Sequence, residues 1–292
     1  MRGLSLPALF AGAVCIALSP IWVRVSEVGP TASAFWRVAL AVPLLWVLLH
    51  LNRRRGTSAA GIPRLALLAA GVAFAGDLAF WHWSIRYTSV ANSTLLANLA
   101  SVFVTLAAWL VWGRRPRALF VGGLAAALAG TALLVQADAG ASAPALLGDA
   151  LGIVTAMFYA WYLLSVKSLR DRGAATLRLM AYTTTITALL LLPVALASGE
   201  PLLPASPAGW AKLLGLAWIS HAGGQGLIAF ALAQLPAAFS AVGLLLQPVM
   251  AAVFAWALLG EPLGAAQAVG GAVVLFGIYL AHRGREEEPR GR

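Results

Sequence analysis

The sequence predicts an all-α integral membrane protein, with ten transmembrane helices arranged as two inverted five-helix repeats. Three observations carry that expectation. Hydrophobic residues make up 61% of the 292 and charged residues 10%, against roughly 25% charged in ordinary soluble domains. The apolar residues fall in runs of the length that a bilayer core about 30 Å thick demands, about 20 per helix, without the period-2 alternation of a membrane barrel. The second half of the chain repeats features of the first at a fixed offset.

Taken in order, the spans read as about 4–24, 31–51, 64–85, 90–112, 118–136, 147–167, 176–197, 210–232, 237–259 and 264–282. Turn chemistry marks the breaks, as at Gly29-Pro30, Arg115-Pro116, Leu235-Pro236 and Glu261-Pro262, where proline cannot continue a helix. The first run has a basic residue, Arg2, before it, but it is long, carries Pro20, and has no clear small-x-small cleavage site. It reads as a retained helix and not as a signal peptide. Cys15 is the single cysteine, which excludes an internal disulfide framework and a cysteine-based metal cluster. The net charge of +10 is spread between apolar runs and not gathered with aromatic residues, so nucleic acid is not an expected partner.

The basic residues report orientation instead. With ten spans, one side collects Arg2; Arg53, Arg54, Arg55 and Arg64; Arg114, Arg115 and Arg117; Lys167, Arg170, Arg172 and Arg178; and Arg283, Arg285, Arg290 and Arg292, which is 16 of the 20. The other side has Arg24, Arg86 and Lys212, together with Glu27, Asp138, Asp149, Glu200 and Glu261. The expected topology therefore has both termini in the cytoplasm.

At an offset of 147, Trp109 falls on Trp256, Gly113 on Gly260, Gly123 on Gly270 and Gly130 on Gly277, and 13 of the 43 positions over 91–133 are identical. Each repeat holds an odd number of spans, so the second is expected upside down relative to the first. The expected division is 1–140 for the first repeat, 141–284 for the second, and 285–292 for a charged cytoplasmic tail. The paired glycines recur about two turns apart on one helix face, a pattern suited to close helix packing in lipid.

This pattern resembles the drug/metabolite transporter superfamily, and within it the EamA family. The resemblance rests on Trp256…Gly260-Glu261 followed by Gly270-Gly271…Gly277 in the second half, and on Trp109…Gly113-Arg114 in the first, where Arg replaces the family's Glu. The family's proline in the fourth helix of each repeat is Pro248 in the second half but Ser101 in the first. Within the branch, Arg24-Val25-Ser26-Glu27-Val28-Gly29-Pro30, Trp81-His82 and Ala156-Met157-Phe158-Tyr159-Ala160-Trp161-Tyr162 are similar to YddG-type amino-acid exporters. The resemblance implies an inner-membrane exporter, and an aromatic-histidine pair, here Trp81-His82, that lines a central cavity.

Polar groups in hydrocarbon need a reason. Asp77 is the only acid well inside a span, where a charged carboxylate costs about 2.5–3.5 kcal/mol. It is either a proton-coupling or substrate-ammonium site, or a structural acid paired with Arg37. Trp81 lies at i+4 from Asp77 on the same face, and His82 follows it. Asn98 lies in the fourth span, Tyr159 and Tyr162 at i, i+3 in the sixth, His221 and Gln225 at i, i+4 in the eighth, and Gln247 before Pro248 in the ninth. Singly, each serves equally well as interhelical glue. Together they fall at similar depth and suit a polar and aromatic substrate cavity formed by helices one, three, four, six, eight and nine.

An intramembrane enzyme is disfavoured. A second buried acid, a His-Glu-x-x-His helix, a nucleophile elbow and a Walker loop are all missing from the sequence. No cofactor and no bound metal are expected. The expected function is a bacterial inner-membrane exporter of amino acids, aromatic and other neutral ones, and related small metabolites by alternating access. The alternatives are an exporter of another metabolite or drug-like solute, and a non-transporting structural or interaction protein. The expected surroundings are a lipid bilayer and a small-molecule substrate, with the chain acting as a monomer.

Overall fold

The computed structural model describes residues 2–53, 63–88, 90–135 and 143–285. The expectations that concern Arg54, Arg55, Asp138, Arg290 and Arg292, the repeat boundary at 140/141 and the tail after Arg285 lie outside the described residues.

Among the described residues, ten helices are long and apolar enough to cross a membrane: α1 Ser5–Arg24, α2 Pro30–Asn52, α3 Arg64–Tyr87, α4 Asn92–Trp112, α5 Ala118–Val135, α6 Ala143–Asp171, α7 Thr176–Ala197, α8 Pro207–Ala231, α9 Ala237–Leu259 and α10 Ala265–Gly284. The main departure from the expected bounds is α6, which runs past its apolar stretch at both ends. Its last turn is extended by an i,i+4 ion pair between Lys167 and Asp171 (2.8 Å). Large apolar side chains such as Leu110, Val111, Leu189 and Leu196 face outward, a surface that would aggregate in water and that lipid satisfies.

Glycine and proline set the ends. Gly113 closes α4 at φ 67° and Gly260 closes α9 at φ 70°, left-handed positions that glycine fills without a Cβ clash. They are also partners in the 147-residue offset. Pro30 and Pro207 sit in first turns, where the missing N–H is not needed.

Several helices are interrupted, and the cause can be read residue by residue. Proline clashes with the carbonyl four residues before it, and α1 breaks at Leu18 ahead of Pro20, α2 at Leu40 ahead of Pro43, and α9 at Leu244–Leu245 ahead of Pro248. The α4 break at Asn98–Leu99 has no proline. There the Ser101 hydroxyl and N–H both donate to the Asn98 carbonyl, at 2.8 and 3.2 Å, an i to i−3 pattern that tightens the turn. Ser101 thus keeps the interruption despite the departure from the proline pattern.

Close packing follows the glycines. A Cβ on Gly130 of α5 would lie 2.6 Å from the Val274 nitrogen of α10, and one on Gly270 would lie 2.6 Å from the Leu134 nitrogen. The two helices therefore touch backbone to backbone, as expected from their spacing. Helices α3 and α6 meet in a similar way, with the Ser84 hydroxyl donating to the Gly148 carbonyl at 2.7 Å.

The two ends of the bundle differ in charge. Ser5 of α1 donates to Gln234 after α8 at 2.7 Å, at the end where Arg114, Lys167, Arg172 and Arg283 line one vestibule. The opposite end holds Glu27, Glu200 and Glu261. Glu200 accepts from the Ala32 N–H (3.0 Å) and the Thr31 hydroxyl (2.9 Å), capping the start of α2. Glu27 accepts from the N–H and hydroxyl of Ser206, and Arg24 pairs with Glu261.

Candidate functional site

Two hollows stand out among the described residues. The larger, about 850 Å³, is the basic vestibule between the ends of α4, α6 and α10 and the start of α9. The smaller, about 170 Å³, lies deeper and is lined from α1, α2, α3, α4, α6, α8 and α9. On α4 the lining passes from Asn98 in the inner cavity to Thr105 in the vestibule, and on α6 from Tyr159 to Leu164. At about 1.5 Å per residue, a packed layer about 8–10 Å thick separates them. Val104, Tyr162 and Leu163, all buried, occupy it.

The inner cavity collects most of the polar groups expected to converge. Asp77, Trp81, His82, Asn98, Tyr159, Gln225 and Gln247 all line it. Tyr159 makes side-chain polar contacts with both Gln225 and Gln247, so α6, α8 and α9 are joined across its floor. Trp81 meets His82 edge-on with ring centroids 4.9 Å apart. The His82 Nδ1–H donates to the Leu78 carbonyl. A carbonyl only accepts, so this bond fixes the tautomer and leaves Nε2 as an acceptor. Nε2 is buried and has no partner among the described residues.

Two of the expected site residues stand behind the wall. Tyr162 is 2% exposed and packs against Phe74, with centroids 4.6 Å apart. It is three residues on from Tyr159, and that step rotates its ring from the cavity toward α3. His221 packs on the same Phe74 at 5.4 Å, and its Nε2 bonds the Thr184 hydroxyl of α7 at 2.9 Å. The i,i+4 spacing of His221 and Gln225 assumed an α-helix, whereas Leu216–Gln225 is π-helical. Within this segment Gln225 lines the cavity and His221 does not. π segments of this kind recur at functional sites.

Part of the cavity wall comes from α2. Ser33, Ala34 and Arg37 line the cavity from that helix. Arg37 interacts electrostatically with Asp77, Tyr159 and Tyr162, but no ion pair joins it to Asp77 among the described residues. The signal was present: an arginine within a span is costly enough to require a purpose. Phe74, the ring shared by Tyr162 and His221, carries no such signal, being one more apolar residue in an apolar helix.

Comparison with known proteins decides the family. The model of the EamA-like transporter family matches residues 4–136 and again residues 146–283. The chain belongs to the EamA-like transporter family. It is 30% identical over 267 residues to an uncharacterized transporter of Archaeoglobus fulgidus, covering 89% of this chain and 90% of the relative. A crystal structure with a TM-score of 0.85 and 16% sequence identity covers 98% of this chain and 99% of that one, which shows a shared fold. The protein is thus a multi-pass EamA-family membrane transporter.

In this EamA transporter the corners Gly113-Arg114 and Gly260-Glu261 differ in use. Glu261, after Gly260, makes the ion pair with Arg24 at the acidic end. Its offset partner Arg114, after Gly113, lines the basic vestibule. The substitution of Arg for Glu therefore follows the charge of the end at which each corner sits.

Proposed function

We propose that this EamA transporter exports amino acids, aromatic and other neutral ones, and related small metabolites across the bacterial inner membrane. It does so by alternating access between two inverted repeats, 1–140 and 141–284. Both termini are cytoplasmic, so the basic vestibule faces the cytoplasm in keeping with the positive-inside bias.

The observation that carries this reading is the inner cavity. Its polar and aromatic lining comes from both halves, and the α4 and α9 interruptions beside Asn98 and Gln247 flank it. Interrupted helices at matching positions of two repeats are the expected setting of a transport site. At about 170 Å³ the cavity is smaller than the roughly 300–1,000 Å³ pockets of drug-sized ligands, which favours a small metabolite. The layer around Tyr162 is the barrier that would open as the halves rock, with Trp81, His82, Asn98, Tyr159, Gln225 and Gln247 touching substrate. Tyr162 and His221 support the wall through Phe74, and Asp77 serves either coupling or binding.

Counterflow of a panel of radiolabelled amino acids in proteoliposomes, with and without a pH gradient, tests the reading. Exchange of neutral amino acids is the expected result. No movement of any of them overturns it, and a rate indifferent to the gradient removes the coupling role from Asp77.

A further inference from the structure

The inner cavity contains four buried polar atoms without partners among the described residues: the Oγ of Ser19, the Nε of Arg37, the Nε2 of His82 and the Oε1 of Gln225. All four residues line the same hollow, together with Asp77, and the Ser19 hydroxyl can serve as donor or acceptor. Buried polar atoms are costly to leave unmet, and the cost is greater within a membrane, where the surrounding hydrocarbon supplies no substitute. Their chemistry is complementary to a ligand of one kind. Arg37 offers only donors, and it is a cation. His82 Nε2 is an acceptor because Nδ1–H is committed to the Leu78 carbonyl, and Gln225 Oε1 is an acceptor by nature. Asp77 adds an anionic group to the acceptor side.

Arg37 and Asp77 would satisfy each other if they met, and they do not form an ion pair among the described residues. Two opposite charges held apart in one small hollow form a template for a molecule with opposite charges at its own two ends.

We infer that Arg37 binds the carboxylate of a zwitterionic α-amino acid, while Asp77, His82 and Gln225 receive its ammonium group. The inference rests on the proposed function and narrows it: the cavity selects solutes that carry both charges and rejects those with one. Guanidinium suits a carboxylate in particular because it donates two parallel hydrogen bonds. The remaining wall, with Phe74, Trp81 and Leu216, receives the side chain, whose chemistry is then free to vary within the neutral class.

The test uses purified full-length protein in proteoliposomes and the radiolabelled L-amino acids phenylalanine, leucine and threonine. Three unlabelled competitors are set against the radiolabelled substrate: L-phenylalanine, L-phenylalanine amide, which lacks the carboxylate, and N-acetyl-L-phenylalanine, which lacks the ammonium. In the wild type both analogues are expected to compete at least about tenfold more weakly than phenylalanine, the cost of losing a charge-assisted hydrogen bond. Arg37→Gln is expected to weaken phenylalanine about 10- to 100-fold and to leave the amide unchanged. His82→Phe is expected to weaken phenylalanine while leaving N-acetyl-phenylalanine unchanged.

Equal competition by phenylalanine and its amide in the wild type overturns the inference while the exporter reading stands. So does an Arg37→Gln protein that weakens acid and amide alike. If no amino acid of the panel moves in the wild type, the exporter reading falls first and takes the inference with it. Should Arg37→Gln fail to fold, the analogue series on the wild type decides by itself.

Discussion

Arg24 at the end of α1 is ion-paired with Glu261 in the turn after α9, joining the first half of the chain to the second across 237 residues of sequence. Both side chains are exposed, at 65% and 38%, so the pair is worth at most about 1 kcal/mol. Glu261→Gln is therefore expected to change thermal stability little. It lies at the acidic end of the bundle, and in the proposed alternating-access cycle the halves make and break such links. Single charge removals are expected to alter transport rate more than stability, and the exchanged pair Arg24→Glu with Glu261→Arg is expected to restore the rate. Rates of the two singles and the double, measured in proteoliposomes, check this. A double variant as slow as the worse single would show that the pair does not link the halves.

The α5–α10 contact predicts a contrast between neighbouring glycines. Gly130 has no room for a methyl group against the α10 backbone, whereas nothing lies within 4 Å of a Cβ on Gly122. Gly130→Ala is expected to cost about 1–3 kcal/mol through overpacking. Gly122→Ala is expected to be neutral or to stabilise by up to about 1 kcal/mol from helix propensity. Thermal unfolding in detergent separates them, and equal melting temperatures would contradict the backbone contact.

Thr184 and His221 predict a stability effect without a specificity effect. Thr184→Val strands the buried His221 Nε2 at a cost of about 1–3 kcal/mol, yet neither residue lines the inner cavity. On the proposed function, the order of preference among amino acids is expected to stay unchanged. A reordered preference would place His221 at the substrate after all.

His82→Ala and Tyr159→Phe act at the wall itself. Each removes a polar contact in the cavity and is expected to lower transport of the preferred solute by about tenfold, the equivalent of one hydrogen bond of about 1.4 kcal/mol. Initial rates across a substrate concentration series would show it. Unchanged rates for every amino acid tried would locate the site elsewhere.

Glu27 predicts a pH dependence outside the membrane. The Ser206 hydroxyl, followed by the backbone N–H groups of Ser206 and Ala205, holds its carboxyl below the usual range. A depressed folded pKa means that the stabilisation is fully present above the unfolded value of about 4.3. It is lost as pH falls through the folded value. Glu27→Gln is thus expected to melt below the wild type at neutral pH, and the gap is expected to close as pH drops below about 4. Melting curves at several pH values provide the check, and a gap independent of pH would remove the carboxylate as its cause.

Much of the fold was legible because a membrane imposes one-dimensional rules. Bilayer thickness fixes the length of each apolar run, so the ten spans could be read within a few residues. Gly113 and Gly260 could be read as helix ends because a left-handed cap favours glycine. The interruptions ahead of Pro20, Pro43 and Pro248 were equally local in origin. The α4 interruption was less so, since it depends on which carbonyl the Ser101 hydroxyl reaches.

The sequence by itself determined how many helices cross, where they end, how the charges divide between the two ends, and which glycines bring α5 against α10. Only the tertiary structure decided the rotation of each helix about its axis. A helix that is apolar all round has no hydrophobic stripe to orient it, so its azimuth is set by its neighbours. That is why Tyr162 and His221 turned to Phe74 while Tyr159 and Gln225 turned inward. It is also why Arg37, which the sequence offered only as a partner for Asp77, faces the cavity with its Nε unmet.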